Sequence, residues 1–184
     1  MVKTTIVRVH DPNEGHKELI KNLITFYRYD LMPYVKSGDL GSCVNIHGVI
    51  DNGEGFRSHA EALKMWDIFW EKPNVLFPML IEADDAAAGF ALIASKPHCH
   101  RTVDYRMNDF FVLNKFRRLG VARKAVFQIF DRFPGVWEIT RLPDNLPAAG
   151  YWSKLVSEYT GGKYEAWDVD AGMDGLKFTA ISTS

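Results

Sequence analysis

Cysteine is scarce in this sequence: Cys43 and Cys99 are the only two among 184 residues. They form neither a Cys-x-x-Cys pair nor a regularly spaced even set, which excludes a disulfide framework and a cysteine-built metal site. No apolar run approaches the ~20 residues that would span a bilayer. Residues 1–10 alternate and carry charge, with no apolar core before a cleavage site. Neither sign of charge dominates. The 22 Lys and Arg against 23 Asp and Glu leave a formal net charge of −1, so the chain as a whole attracts neither nucleic acid nor an anionic membrane. Any charged partner must be held by a local patch. Repeats and low-complexity stretches are missing as well. The expectation is a soluble protein in a reducing, cytoplasmic setting, with no nucleic-acid and no membrane partner.

What is present is a core: 47% of residues are hydrophobic and 13% aromatic, enough for one folded domain over residues 1–184. Residues 4–10 alternate and are β-branched, as in a strand. Asp11, Pro12 and Glu14 read as a helix start, with Leu19, Ile20, Leu23, Ile24 and Tyr27 following at helical spacing. Residues 32–56, with Pro33 and glycines at 38, 41, 48, 53 and 55, are irregular, and a long loop of that kind in a compact domain is often functional. Asp39, His47 and Glu54 there are candidates to line a binding pocket. Ser58 and Glu61 open a second helix whose stripe, Ala62, Met65, Trp66, Phe69 and Trp70, reads as core.

Strands over 75–83 and 89–95 flank a turn at Asp84-Asp85, and a longer strand covers 102–113. Apolar residues then recur at Val121, Ala125, Val126, Ile129 and Phe130, until Pro134-Gly135 stops the helix. A strand over 136–142 and a helix carrying Ala148, Tyr151, Trp152, Leu155, Val156 and Tyr159 follow, and two strands close the chain. Adjacent central strands imply antiparallel hairpins, and the strand-helix-strand over 103–142 implies a parallel crossover. The fold class is α/β (α+β): a mixed, mostly antiparallel sheet of about seven strands with about four helices on its faces.

Two segments carry the chemistry. In the first, Val103, Tyr105 and Met107 are apolar at odd positions, but Phe110 and Val112 continue the set at even ones. A one-residue phase slip is the signature of a β-bulge, which re-aims every later side chain and leaves backbone groups unpaired. Asp109 sits at the break. In the second, residues 115–124 put Lys115, Arg117, Arg118, Arg123 and Lys124, five positive charges, at the start of a helix. Free amides there attract phosphate, and Gly120 and Ala122 let it approach. No Gly-Lys-Ser/Thr follows and there is no Gly-x-Gly-x-x-Gly, so nucleoside-triphosphate hydrolysis and dinucleotide binding lack a motif. His98, Cys99 and His100 have no third ligand at useful spacing, and a surface loop without a metal is expected.

Phe110-Phe111-Val112-Leu113 followed by Arg117-Arg118-Leu119-Gly120-Val121-Ala122 resembles the acetyl-CoA motif of the GNAT acetyltransferase superfamily, Arg/Gln-x-x-Gly-x-Gly/Ala. A second family signature, an Asn, an Ala three residues later and an aromatic four beyond, resembles Asn145, Ala148 and Trp152. With the order of elements, the resemblance covers most of the chain, residues 32–56 excepted.

The resemblance implies a splayed strand pair, a bulged strand whose backbone at Phe111, Val112 and Leu113 binds the pantetheine arm, and a diphosphate site on Arg117, Arg118, Leu119, Gly120, Val121, Ala122 and Arg123. Asn145 would contact the arm or hold the wall of the gap, with Trp152 beside it. It implies acetyl-CoA as acyl donor with no metal, a small-molecule or peptide amine as acceptor, direct attack on the thioester, and it allows a homodimer. Asp109 is the candidate base, with Asp104 second. The family's tyrosine seven residues after the Asn is Trp152 here, so Tyr151 or water must serve as the acid. The alternative is a non-catalytic acyl-CoA-binding sensor.

Overall fold

The computed structural model describes residues 5–11, 13–36, 43–51, 53–169 and 173–181; Thr4, Pro12, Gly38, Asp39 and Gly41, which figured in the sequence reading, lie outside them. Strand β1 (Val7–His10) leads through a 3-10 turn (Glu14–His16) into α1 (Lys17–Leu31). The helix begins later than the capping pattern predicted. Asn13 Oδ1 accepts from the His16 amide at 3.0 Å, and this side-chain turn tightens the entrance before α1 proper. A 3-10 turn (Met32–Tyr34) ends α1, and the following irregular segment contains a two-stranded hairpin, β2 (Cys43–Val44) and β3 (Ile50–Asp51).

The predicted second helix is broken into α2 (His59–Ala62), a 3-10 turn (Lys64–Asp67) and α3 (Ile68–Glu71). Ser58 Oγ accepts from the Glu61 amide at 3.1 Å as predicted, but the Glu61 carboxylate reaches back to the Arg57 amide. Lys21 and Lys17 of α1 hold Asp67 of the 3-10 turn at 2.9 and 3.3 Å, so tertiary ion pairs settle where the turns fall.

Strands β4 (Leu76–Ala83), β5 (Ala86–Ser95), β6 (Tyr105–Val112) and β7 (Gly135–Thr140) form the middle of the sheet. Helix α4 (Val121–Arg132) crosses between β6 and β7, and α5 (Leu146–Thr160), β8 (Tyr164–Val169) and β9 (Met173–Ala180) complete the chain. Seven strands run in the order β1-β4-β5-β6-β7-β9-β8. Only β6 and β7 are parallel, as a helical crossover requires.

Each face of the sheet has its own core. Helices α4 and α5 cover Met79, Ile81, Ala91, Ile93, Trp137 and Ile139. Helix α1 and the α2–α3 segment cover Leu76, Leu80, Phe90 and Leu92.

Strand β6 changes face as predicted. Leu92 of β5 pairs with Asp109 and Ile93 with Met107, so Asn108 is the extra residue. Met107 and Val112 then pack on the α4–α5 side while Phe111 packs on the α1 side, which an unbulged strand could not do. The parallel pairing of β6 with β7 ends at Met107↔Ile139, although β6 continues to Val112. From Asn108 onward the two strands splay.

The paired half is held by Glu138 of β7. Its carboxylate is fully buried and accepts from Arg106 Nε at 2.6 Å, the His100 amide at 3.0 Å and Trp167 Nε1 at 3.0 Å, so the buried charge has the partners it needs. On its other side the splayed half is held by β5. Gly89 lies so close to β6 that a Cβ there would meet the Phe111 carbonyl oxygen at 2.0 Å. Gly89→Ala is therefore expected to destabilise the fold by about 2–4 kcal/mol, read as a lowered urea midpoint. An unchanged midpoint would show that β5 and β6 can part there at little cost.

Candidate active site

The wedge between the splayed strands is a cavity of about 570 Å³. Its floor is Met107, Asn108, Asp109 and Phe110 of β6. One wall is Ile139 and Thr140 of β7 with the loop to α5, and the other is Tyr27 and Leu31 of α1 with Tyr34, Val35 and Lys36 beyond it. The bulge thus turns Asp109 into the wedge.

Both oxygens of Asp109 are engaged. Tyr27 Oη donates to Oδ1 at 2.8 Å and Asn108 Nδ2 to Oδ2 at 2.8 Å. Burial raises the Asp109 carboxyl above the ordinary aspartate range, and hydrogen bonds from Tyr27, Asn108 and Trp66 offset part of that rise. The result is a carboxylate more basic than usual, beside a cavity that admits a ligand. Asp104, the second candidate base, is elsewhere. It caps the Val136 amide at 2.9 Å and binds Lys96 at 3.1 Å. The Val136 hydrogen bond is the main reason its carboxyl is held low.

Beside the wedge, the edge of β6 beyond Met107 has no strand partner among the described residues. The Leu113 amide donates to Ala88 of β5 at 2.8 Å, so by strand alternation the Phe111 backbone also faces β5, while Phe110 and Val112 face the open side. Arg117 Nε occupies the Val112 carbonyl at 2.8 Å, which leaves the Val112 amide and both Phe110 groups without a partner among the described residues. The edge predicted at Phe111, Val112 and Leu113 is thus narrower at one end and extends to Phe110.

The chain then enters α4 through a strained loop. Arg118 has φ +63° and Gly120 φ +77°. For arginine that conformation costs about 1–2 kcal/mol, and such strain gathers at ligand clamps. Gly120 is the N-cap of α4 and no side chain caps the helix. A Cβ on Gly120 would meet nothing within 4 Å, so the approach to these amides is open.

The basic residues divide into those with partners and one without. Arg117 reaches Asp30 as well as Val112. Arg123 pairs with Glu158 at 2.7 Å, and Lys124 binds the Thr5 carbonyl at 2.6 Å. Lys115 lies over the Phe116 ring at 5.5 Å. Arg118 is exposed with no ion pair among the described residues. Leu119 is exposed, Val121 is buried in the core and Ala122 half-buried beside it.

On the far wall, Asn145 caps α5 by accepting from the Ala148 amide at 3.1 Å and lines the cavity with Ala148 and Trp152. Trp152 is buried, edge-on to Phe110 at 5.3 Å. Tyr151 turns away from that lining. It sits 38% exposed beside Arg123 and Glu158, and burial raises its phenol while Arg123 opposes the rise. His47 and Glu54 do not line the cavity. Tyr27 and Trp66 escaped the sequence reading as site residues. Their only signal was a polar tip on an otherwise apolar stripe. Among the described residues no group of three or more His, Cys, Asp or Glu side chains could hold a metal ion, and no helix is long and apolar enough to cross a membrane.

A family model described as the acetyltransferase (GNAT) family matches residues 49–155, more than half of the chain. No curated protein matches the sequence. Solved structures with a similar fold include spermidine N-acetyltransferase from Vibrio cholerae in complex with CoA and spermine, 12% identical with a TM-score of 0.55, covering 95% of each chain. An aminoglycoside N-acetyltransferase in complex with CoA is 17% identical with a TM-score of 0.57, covering 92% of this chain and 95% of its own. An acetyltransferase from Thermus thermophilus is 6% identical with a TM-score of 0.59, covering 93% and 94%. At these identities the likeness is one of fold.

The two aspartates are expected to separate in titration. With carboxyl-13C-labelled aspartate, Asp109 should titrate with its midpoint above the ordinary value of about 3.9 and Asp104 below it. A low Asp109 midpoint would show that its hydrogen bonds outweigh its burial.

Proposed function

This chain belongs to the GNAT acetyltransferase family, and on that premise we propose that it transfers the acetyl group of acetyl-CoA to an amine by direct attack on the thioester. One observation carries the reading. The bulge at Asn108 turns Asp109 into a cavity that opens where the unpaired edge of β6 begins, on the path to the uncapped start of α4.

The residues present fit acetyl-CoA as the acyl donor. Phe110 and Val112 supply amide and carbonyl groups in extended register, which an amide-bearing arm can pair with as an added strand. The amides of Gly120, Val121, Ala122 and Arg123 face the start of α4, where helix geometry and macrodipole favour a diphosphate, and Arg118 has its charge free to join them. Trp152, Ala148 and Phe110 give the wedge an apolar side. Bound there, acetyl-CoA supplies an activated acetyl group.

The chain's own part is positioning and proton transfer. An acceptor reaching the cavity arrives as an ammonium and must lose a proton before its lone pair can attack. Asp109, more basic than an ordinary aspartate, takes that proton directly or through one water. For the departing thiolate, Tyr151 is the weaker candidate because it does not line the cavity, and water is the simpler donor. Trp152 in the family's tyrosine position supports a second reading, an acyl-CoA sensor without turnover. The chemistry of the spermidine and aminoglycoside enzymes of similar fold makes polyamines and aminoglycosides reasonable first acceptors to assay.

Calorimetric titration with acetyl-CoA and release of CoA in the presence of such amines test both readings. Gly120→Glu, which adds bulk, a charge and a strained φ where the diphosphate would sit, should raise Kd at least about tenfold. Asp109→Asn should bind acetyl-CoA normally but lose about a hundredfold or more in turnover. Binding without turnover for any amine would favour the sensor, and normal affinity of Gly120→Glu would remove the cradle.

A further inference from the structure

The hydrogen bond between α1 and β6 has no explanation in packing. The Tyr27 ring is fixed by the core: it stands edge-on to Phe90 at 5.7 Å and 90°, and lies 6.0 Å from Phe111. A phenylalanine would make the same contacts. The hydroxyl adds one thing, a 2.8 Å hydrogen bond to Asp109 Oδ1, made on the wall of the cavity that both residues line. Asn108, the bulge residue, holds the other oxygen. Tyr27 and Asn108 hold opposite oxygens and Trp66 adds a third donor, so the carboxylate plane is fixed while a lone pair is left for a ligand.

We propose that Tyr27 is a positioning residue for the base, so that Asp109 and Tyr27 act as one unit assembled from β6 and α1. The inference rests on the reading of Asp109 as base given above. In the transfer, the acceptor's ammonium gives one proton to a carboxylate oxygen of Asp109, and Tyr27 keeps its own proton throughout. Burial, with the Asp109 charge beside it, raises the Tyr27 phenol well above the ordinary range, so it remains a donor at every working pH.

Among the described residues, the groups facing Asp109 are few. On its own strand there is Asn108, and from the 3-10 turn before α3 there is Trp66. Around the same cavity stand Lys36, Arg141 and Asp144. On α1, Asp30 is bound to Arg117, and Arg28 lies over the Trp66 ring at 5.6 Å. Tyr27 is the donor to Asp109 that comes from the opposite wall.

The decisive variant is Tyr27→Phe in protein labelled with carboxyl-13C aspartate. Losing a hydrogen bond to the charged form should move the Asp109 midpoint up by about one pH unit, while acetyl-CoA affinity changes less than about threefold. A midpoint that stays in place would overturn the proposal, since a packing role alone does not move it. Should Tyr27→Phe not fold, the unaltered protein still decides: the ring-carbon shift of Tyr27 should step at the Asp109 midpoint, and a flat response would overturn the pairing. Failure of the underlying reading looks different. Asp109→Asn with unaltered turnover would remove the base, whatever the titrations of Tyr27 show.

Discussion

One extra residue in β6 organises this protein. Without the bulge at Asn108, the apolar set of the strand would divide between the two faces, and Asp109 would share the face of Met107 instead of reaching the wedge. With it, Met107 and Val112 serve the α4–α5 core while Phe111 serves the α1 core, and the pairing with β7 stops. The cavity, the unpaired edge of β6 and the aim of Asp109 therefore have a common cause. A bulge achieves this because side chains alternate with a period of two, so a single insertion reverses every later residue.

A splayed pair of strands is stable only if something else fixes both halves. On the closed side, Glu138 draws Arg106, the His100 backbone and Trp167 onto one buried carboxylate, which ties β6, β7, β8 and the loop after β5 together just before the strands part. On the open side, the loss of β7 as a neighbour is offset by the close approach of β5, which has no side chain at Gly89 to keep it away. The cavity is thus held between a polar clamp and a bare backbone contact. Neither contributes to the chemistry of a ligand, and both decide the shape that the ligand meets.

The sequence made some of this legible and hid the rest for identifiable reasons. The bulge in β6 was readable because that strand alternates, so its phase could be seen to slip. A second register shift, at Ala88 in β5, was not, because β5 is apolar on both faces and has no phase to lose. The broken segment from His59 to Glu71 looked like one helix because Ala62, Met65, Trp66, Phe69 and Trp70 are spaced by three and four, which successive short turns satisfy as well. For Asn145 the family resemblance left two roles open, contact with the cofactor arm or the wall of the gap; the capping bond to the Ala148 amide that the structure shows follows from the Asn-x-x-Ala spacing. Tyr27 was not legible as a site residue, since an aromatic on the apolar face of a helix reads as core. Its hydroxyl acquires meaning only when α1 is laid against the bulge. Contacts within one element can be read from spacing, and contacts between two elements need the fold.

The basic cluster is a case where counting residues misleads about mechanism. Five cations in ten residues suggest that charge attracts the phosphate, yet Arg117, Arg123 and Lys124 are bound to Asp30, Glu158 and the Thr5 carbonyl, and Lys115 lies over an aromatic ring. These side chains tie the loop and α4 to their surroundings. The attraction left for an anion comes mainly from backbone: uncapped amides at the start of α4, aligned with the dipole of a twelve-residue helix, and reached across a glycine whose open side meets no atom. A backbone-made site is insensitive to which basic residues surround it but depends on the loop conformation that exposes it. The left-handed Arg118 and Gly120 are then the price of the geometry, and the ion pairs of their neighbours hold the loop in that shape.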